Sequence, residues 1–353
     1  MTVSRESRTS SADAPSGMAS PVVTIRLING LDLSTFVSEI LGPLAEEFAF
    51  IESVTPRLCV AGPYGTTRPP AGSYHVGYLC ENIWPEPSTY DWCFGTWDED
   101  VVRRPNYTRI TWHGFDARQL IKTEGKISAW LAQPRQFCNF FYSNSVPYRE
   151  RFCRALAQYR AIDCPGSSLR NMPAIDDGSA YGKWDRKRAF LANYRFTIAF
   201  ENSSAPGYQT EKILDPMMAG SIPIYRGNPG IAEHFNPRSF IDAQAILPPP
   251  CRTLDRLLRR LGRRTLRDYC PGTYAKPRDR VQRRLRRLAT QVADLLLSAQ
   301  GWRALVDYVR EIDCDRDRYE SMLHEPWFPD NRPPADDHMR QRWRHILQQC
   351  ATA

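Results

Sequence analysis

The stretch from Phe196 to Asp242, FTIAFENSSAPGYQTEKILDPMMAGSIPIYRGNPGIAEHFNPRSFID, constrains this chain more than any other. It reads as strand, polar loop, helix, strand, loop and strand. Phe196, Ile198 and Phe200 alternate with smaller residues and stop at the polar loop, as a strand of a covered parallel sheet does at its C-terminal edge. In an open α/β sheet the ligand crevice lies at that edge. Beyond the loop, Ile213, Leu214, Met217 and Met218 recur at helical spacing. Tyr208, Glu211 and Lys212 are three or four residues apart and are expected to share a helix face toward the crevice. Gly220 stops the helix, Ser221 to Tyr225 begins a second buried strand, and Gly227-Asn228-Pro229 turns the chain. Pro216 removes one helical hydrogen bond, so this helix is expected to bend or to be short.

The same alternation runs through the rest of the chain. Val22 to Ile28 reads as a strand and Thr35 to Glu47 as a helix, with apolar runs near Phe48, at Leu58-Cys59-Val60, at Tyr74 to Cys80 and at Tyr90 to Phe94. A second unit begins near Pro134, with Phe137 to Tyr142 as a strand and Tyr148 to Tyr159 and Trp184 to Asn193 as helices. At 353 residues and 42% hydrophobic content, there is enough material for two ordinary cores. The expected organisation is a disordered tail over 1–20, an α/β domain over 21–133, a second over 134–330, and a closing turn and helix over 331–353. The first twenty residues lack the apolar region of a signal peptide, and no apolar run approaches the roughly 20 residues of a membrane span. A cytoplasmic location is expected, and the ten cysteines, without paired spacing, read as reduced buried thiols.

Charge is unevenly placed. Of the net +8, residues 251–300 carry thirteen Arg and one Lys against four Asp, a balance of +10. Leu254, Leu257, Leu258 and Leu261 form one stripe there, and Val281, Leu285, Leu288, Val292, Leu295 and Leu296 a longer one. A turn at Cys270-Pro271-Gly272 makes this a basic helical hairpin inserted over 251–301. Clustered arginines neutralise phosphates, but without interleaved aromatics nucleic acid is not the expected partner. Peripheral contact of 252–287 with an anionic membrane is preferred to that, and a solvated basic face is an equal alternative. Leu305, Val306, Tyr308, Val309, Tyr319 and Trp327 then read as short helices finishing the second domain, and a last helix covers about Ala335 to Gln349.

Phe200-Glu201-Asn202-Ser203, Tyr208-Gln209-Thr210-Glu211-Lys212 and Gly220-Ser221-Ile222-Pro223 together resemble the signature of the α1,3/4-fucosyltransferases. The resemblance extends more loosely from about Tyr74 to Asp242 and resumes near Trp302, with the arginine-rich stretch as a departure. It implies a GT-B fold, two Rossmann-like domains facing across a cleft. It also implies an inverting transfer of L-fucose from GDP-β-L-fucose to an acceptor oligosaccharide or glycolipid, as in glycan or lipopolysaccharide assembly.

A sugar nucleotide needs positive charge or backbone N–H groups where its diphosphate departs. Lys212, in the first turn of its helix, meets that need, and Arg149 aligns with the family's diphosphate-contacting arginine, with Arg151 and Arg154 close by in sequence. The resemblance implies that Asn202 and Glu211 hydrogen-bond sugar and ribose hydroxyls and that Tyr208 lies against the nucleotide. Outside the motif, Lys212 and Arg149 would read as surface residues, Glu211 as a helix N-terminal acid, Asn202 as a turn cap and Tyr208 as core. The resemblance points to Glu81, in Tyr78-Leu79-Cys80-Glu81-Asn82, as general base, with Glu86 as a rival five residues on. A strand-end carboxylate facing a cleft can be tuned toward the working pH by desolvation. The Asp-x-Asp strings at 98–100 and 313–315 read as solvated acids, the six His show no ligand spacing, and no obligatory metal is expected. The alternatives are a GT-B transferase with another nucleotide-sugar donor, or a basic protein of nucleic-acid or membrane surfaces.

Overall fold

The computed structural model describes residues 20–85, 87–111, 116–175, 182–247, 281, 302–334 and 338–352. The expected tail, the rival base Glu86 and the arginine-rich hairpin lie outside these residues, apart from Ser20 and from Val281, which is helical and exposed.

Two parallel sheets carry the fold. The first contains β1 (Val22–Ile28), β2 (Ala49–Glu52), β3 (Leu58–Ala61), β4 (Tyr74–Leu79), β5 (Trp92–Gly95) and β6 (Tyr107–Arg109), in the order β2-β1-β3-β4-β5-β6. The second contains β7 (Gln136–Asn139), β8 (Ile162–Asp163), β9 (Tyr194–Phe200), β10 (Ile222–Arg226) and β11 (Ile241–Asp242), in the order β11-β10-β9-β7-β8. Strands such as β3, buried along their whole length, show why their sequences are continuously apolar: both faces are covered. The register pairs Phe200 with Arg226, and the amide of Glu201 donates to the Arg226 carbonyl at 2.8 Å. The Phe-Glu-Asn-Ser loop and the turn after β10 therefore leave the sheet side by side at its C-terminal edge.

The helices follow the sequence with local exceptions. The helix expected over Thr35 to Glu47 is broken into a short α turn (Leu33–Thr35), a π-helical stretch (Phe36–Leu41) and a 3₁₀ stretch (Gly42–Glu47). Gly42 at φ 55° and the proline after it leave the α-helical path there. The helices α1 (Glu124–Ala132), α2 (Pro147–Ala157), α3 (Lys183–Leu191) and α4 (Glu211–Ala219) follow. α4 is short, as Pro216 implies, and ends at Gly220 with φ 68°. Two further helices, α5 over 302–314 and α6 (Arg316–His324), bring Leu305, Val309, Tyr319 and Leu323 into the second core beside Phe196 and Phe200. Asp313 is not a solvated acid: it is buried and paired with Arg160 and Arg195 at 3.1 and 2.6 Å, while Asp315 caps α6. Nor are all the thiols buried, since Cys314 is exposed. No helix among the described residues is long and apolar enough to cross a membrane.

The last helix, α7 (His338–Cys350), crosses back to the first sheet. Trp343 stacks on Phe94 with ring centroids 4.5 Å apart and meets Phe36 edge-on at 5.4 Å. Beyond it, Thr352 forms an antiparallel bridge with Val22. Because Trp343 fills the first core, Trp343→Ala is expected to cost about 3–5 kcal/mol in denaturant unfolding. A loss below about 1 kcal/mol would show that the helix is dispensable to that core.

Candidate active site

The site starts from a buried carboxylate. Glu201 is fully buried at the end of β9, where its Oε1 accepts from the amide of Thr210 at 2.8 Å and both oxygens accept from the Thr210 hydroxyl. Thr210 in turn caps α4, its hydroxyl oxygen accepting from the Lys212 amide. The Lys212 ammonium lies 3.4 Å from Glu201 Oε2 and 3.2 Å from Glu211 Oε1 and donates to the Thr210 hydroxyl. Burial works against its charge, but Glu211 and Glu201 outweigh that and hold Lys212 above the ordinary lysine value, so it stays cationic. Burial also pushes Glu201 upward, with Lys212 opposing. Burial would raise Glu211 too, yet Lys212 and then Lys187 bring it down to about 2. One firmly charged lysine between two carboxylates, at the N-terminus of a helix, is thus built into the strand edge.

Arg149 belongs to the same construction and is distinguished from its neighbours. Pro147 opens α2, and the Arg149 guanidinium points inward, fully buried, 3.6 Å over the Tyr142 ring. It donates to Asn202 Oδ1 at 3.1 Å, to the Phe200 carbonyl at 3.3 Å and to the Asn144 carbonyl at 2.7 Å. Arg154 is instead a surface partner of Glu150 one turn away. In this geometry Arg149 reaches the crevice through Asn202, whose amide it orients.

Tyr208 is placed otherwise than its spacing suggests. The helix begins at Glu211, so Tyr208 lies in the loop before the cap and shares no helix face with Glu211 and Lys212. Its side chain is 1% exposed and packs with Leu79, Trp97, Val102 and Tyr107 of the first domain. It therefore joins the two domains. The reason is Gly207, at φ +86°, where an added Cβ would come within 2.5 Å of the Asp98 amide nitrogen and 2.7 Å of the Thr96 carbonyl oxygen. The backbones of the two domains touch there, and the Asp98 amide donates to the Pro206 carbonyl.

Arg109, at the end of β6, fastens this contact and had no signal in the sequence. Its guanidinium pairs with Asp98 at 3.1 Å and donates to the Gly207 carbonyl at 2.8 Å, to Gln209 Oε1 at 3.3 Å and to Nε2 of His234 at 2.8 Å. Asp98 is thus the ion-pair partner of Arg109, within the first domain, rather than a solvated acid. A short strand ending in arginine says nothing until the other domain is in place.

Glu81 follows β4 at the C-terminal edge of the first sheet, and its Oε1 accepts from the Tyr64 hydroxyl at 2.6 Å. The next residue, Asn82, is buried and donates from Nδ2 to the Ser203 hydroxyl at 2.6 Å. This bond joins the candidate base loop directly to the Phe-Glu-Asn-Ser loop. Burial first, with Glu81 and more weakly Glu211 adding to it, pushes the Cys80 thiol up to about 12.

A narrow cavity of about 10 Å³ at Lys212, Lys187, Tyr142 and Pro216 has room for roughly one water. A larger one of about 300 Å³ lies among Pro237, Arg238, Pro326 and Asp330 and includes none of the motif residues. No cluster of three or more His, Cys, Asp or Glu suited to a metal occurs among the described residues.

Comparison with known proteins agrees with the motif. Residues 131–264 match the model of glycosyltransferase family 10 (fucosyltransferase), C-terminal part. That match runs past Asp242, so the departure read from the sequence begins later than expected. An α-(1,3)-fucosyltransferase of Helicobacter pylori is 38% identical over 109 residues, 31% of this chain and 21% of that protein. A putative fucosyltransferase of Acanthamoeba polyphaga mimivirus is 34% identical over 116 residues, 32% of this chain and 19% of that one. The aligned part thus spans about a fifth of the length of these relatives. The solved structure of an α1,3-fucosyltransferase with GDP matches 96% of this chain and 94% of its own, with a TM-score of 0.60 at 19% identity. Residues 131–264 are therefore similar to the C-terminal part of glycosyltransferase family 10 (fucosyltransferase), and the chain as a whole has the GT-B fold of the solved α1,3-fucosyltransferases.

Proposed function

We propose that this chain is an inverting glycosyltransferase that moves L-fucose from GDP-β-L-fucose to an acceptor glycan, with α1,3 linkage to GlcNAc of an N-acetyllactosamine-type acceptor. The observation that carries this is the Asn82 to Ser203 hydrogen bond, which sets Glu81 of one domain against the donor motif of the other. Similarity to proteins described as α-(1,3)-fucosyltransferases, and to one solved with GDP-fucose, supports the donor and the linkage.

In this reading the acceptor hydroxyl attacks the anomeric carbon on the face opposite the diphosphate. Glu81 takes the hydroxyl proton as the new C–O bond forms, and the bond to the β-phosphate oxygen breaks with its electron pair leaving on GDP. Lys212 and the N-terminus of α4 face the growing negative charge. Glu211, about a third exposed and ionised, accepts from hydroxyls of the donor. Arg149 holds Asn202 in register with them. Assigning the diphosphate charge to these groups makes a metal dispensable.

The test is incubation with GDP-fucose and a panel of N-acetyllactosamine-type acceptors, with and without EDTA. Expected is an α-fucosylated product, with activity retained in EDTA and GDP competing better than UDP or CDP. Equal competition by UDP would sink the fucose assignment.

A further inference from the structure

We propose that Tyr64 is the acceptor platform of this enzyme: its exposed ring carries a pyranose of the acceptor while its hydroxyl orients Glu81. The inference rests on the transfer reading above and adds to it the group that recognises the acceptor.

Tyr64 follows β3 on the same sheet edge as Glu81, and the residue is 47% exposed. A single exposed tyrosine needs no explanation by itself. What sets this one apart is how firmly it is held. Gly30, at φ +91°, lies beneath the ring, where an added Cβ would come within 2.9 Å of Tyr64 Cβ and Cδ2. The Tyr64 amide donates to the Asn29 carbonyl at 2.9 Å. The Asn29 side chain then clamps the rest of the loop, with Oδ1 accepting from the Thr67 amide at 2.9 Å and Nδ2 donating to the Thr67 carbonyl at 3.1 Å. Gly65 is needed for this, since a Cβ there would meet Asn29 Oδ1 at 2.5 Å. Asn29 itself holds a left-handed conformation, φ 58°. Two close-packed glycines and a strained asparagine thus serve to fix one exposed ring.

Its position beside the base gives that arrangement a use. The phenol donates to Glu81 Oε1, while Oε2 has no partner among the described residues. A carboxylate with one oxygen held and the other open is oriented to accept a proton. A pyranose has a face of C–H groups that suits an aromatic ring, with carbons about 4 Å apart at contact. A sugar ring resting on Tyr64 therefore brings its own hydroxyl, or that of its linked neighbour, to the open oxygen. A tyrosine loses little rotamer freedom in such contacts, and here the loop has already restrained it.

The experiment compares the full chain with Tyr64→Leu and Tyr64→Phe, reading kcat, acceptor KM and GDP affinity by calorimetry. Tyr64→Leu is expected to raise acceptor KM about tenfold, with GDP affinity and thermal stability unchanged. Tyr64→Phe keeps the ring, so acceptor KM should hold while kcat falls about 10- to 100-fold. In a Glu81→Gln background, Tyr64→Phe should cost nothing further, because the hydroxyl acts through Glu81. An unchanged acceptor KM in Tyr64→Leu overturns the platform, and so does a loss of GDP affinity, which would give the ring to the nucleotide. If the wild type transfers no fucose, the function proposed above fails first. Saturation-transfer NMR with N-acetyllactosamine and GDP then decides the platform alone: a signal lost in Tyr64→Leu supports it, and a signal retained, or absent from the wild type, overturns it.

Discussion

Glu81→Gln is expected to lower the rate of fucose transfer by about 10²- to 10⁴-fold while GDP affinity changes little. Glutamine preserves the shape and can still accept from Tyr64, but it cannot take the acceptor proton. The proton moves as the new bond forms, so the loss belongs to the transition state and not to donor binding. One detail of the structure supports the assignment: the Glu81 loop is joined to the Phe-Glu-Asn-Ser loop through the Asn82–Ser203 hydrogen bond. Glu86 remains a control: near-normal turnover in Glu81→Gln with loss in Glu86→Gln would move the base five residues along, and full rates in both would place it elsewhere.

Lys212→Ala is expected to weaken GDP binding about 10- to 100-fold and also to destabilise the fold by about 3–5 kcal/mol. From the sequence alone Lys212 could be removed without structural penalty, but the structure shows it neutralising fully buried Glu201. Taking away one member of such a group leaves an uncompensated charge. Adding Glu201→Gln should restore much of the stability and none of the GDP affinity, which separates the two roles by calorimetry and thermal unfolding. The acid limb offers a second reading. Glu211 is held down from 4.5 to about 2, so its contribution is present above 4.5 and lost as the pH falls toward 2. Without Lys212 that acid dependence should largely disappear. An unchanged GDP affinity in Lys212→Ala would show that the diphosphate lies elsewhere.

The donor half of the site was legible because its signals are local. In β9 Phe196, Ile198 and Phe200 alternate and are buried, and Gly220 stops α4 where a left-handed residue is needed. Lys212 came from a motif with fixed spacing, and the candidate base Glu81 from the looser resemblance outside it. What failed was long-range. Tyr208 looked helical at three and four residues from Glu211 and Lys212, but Gly207 and the cap at Thr210 put it in a loop against the other domain. Arg109 meets His234 and the Gly207 carbonyl only across the interface, so no window of sequence contains their relation. Strands β6 and β8, three and two residues long, are too short to show a period. A last helix was expected over about Ala335 to Gln349, and only the fold showed that it belongs to the first sheet.

That return of α7 sets an order of events during synthesis. The second core, from Phe137 to Leu323, can close as soon as its own residues have left the ribosome. The first cannot, because Phe36, Phe94 and Tyr78 wait for Trp343, and the edge at Val22 waits for Thr352. The first sheet is therefore made early yet lacks part of its cover until α7 has been made, whereas the second core needs nothing beyond Leu323.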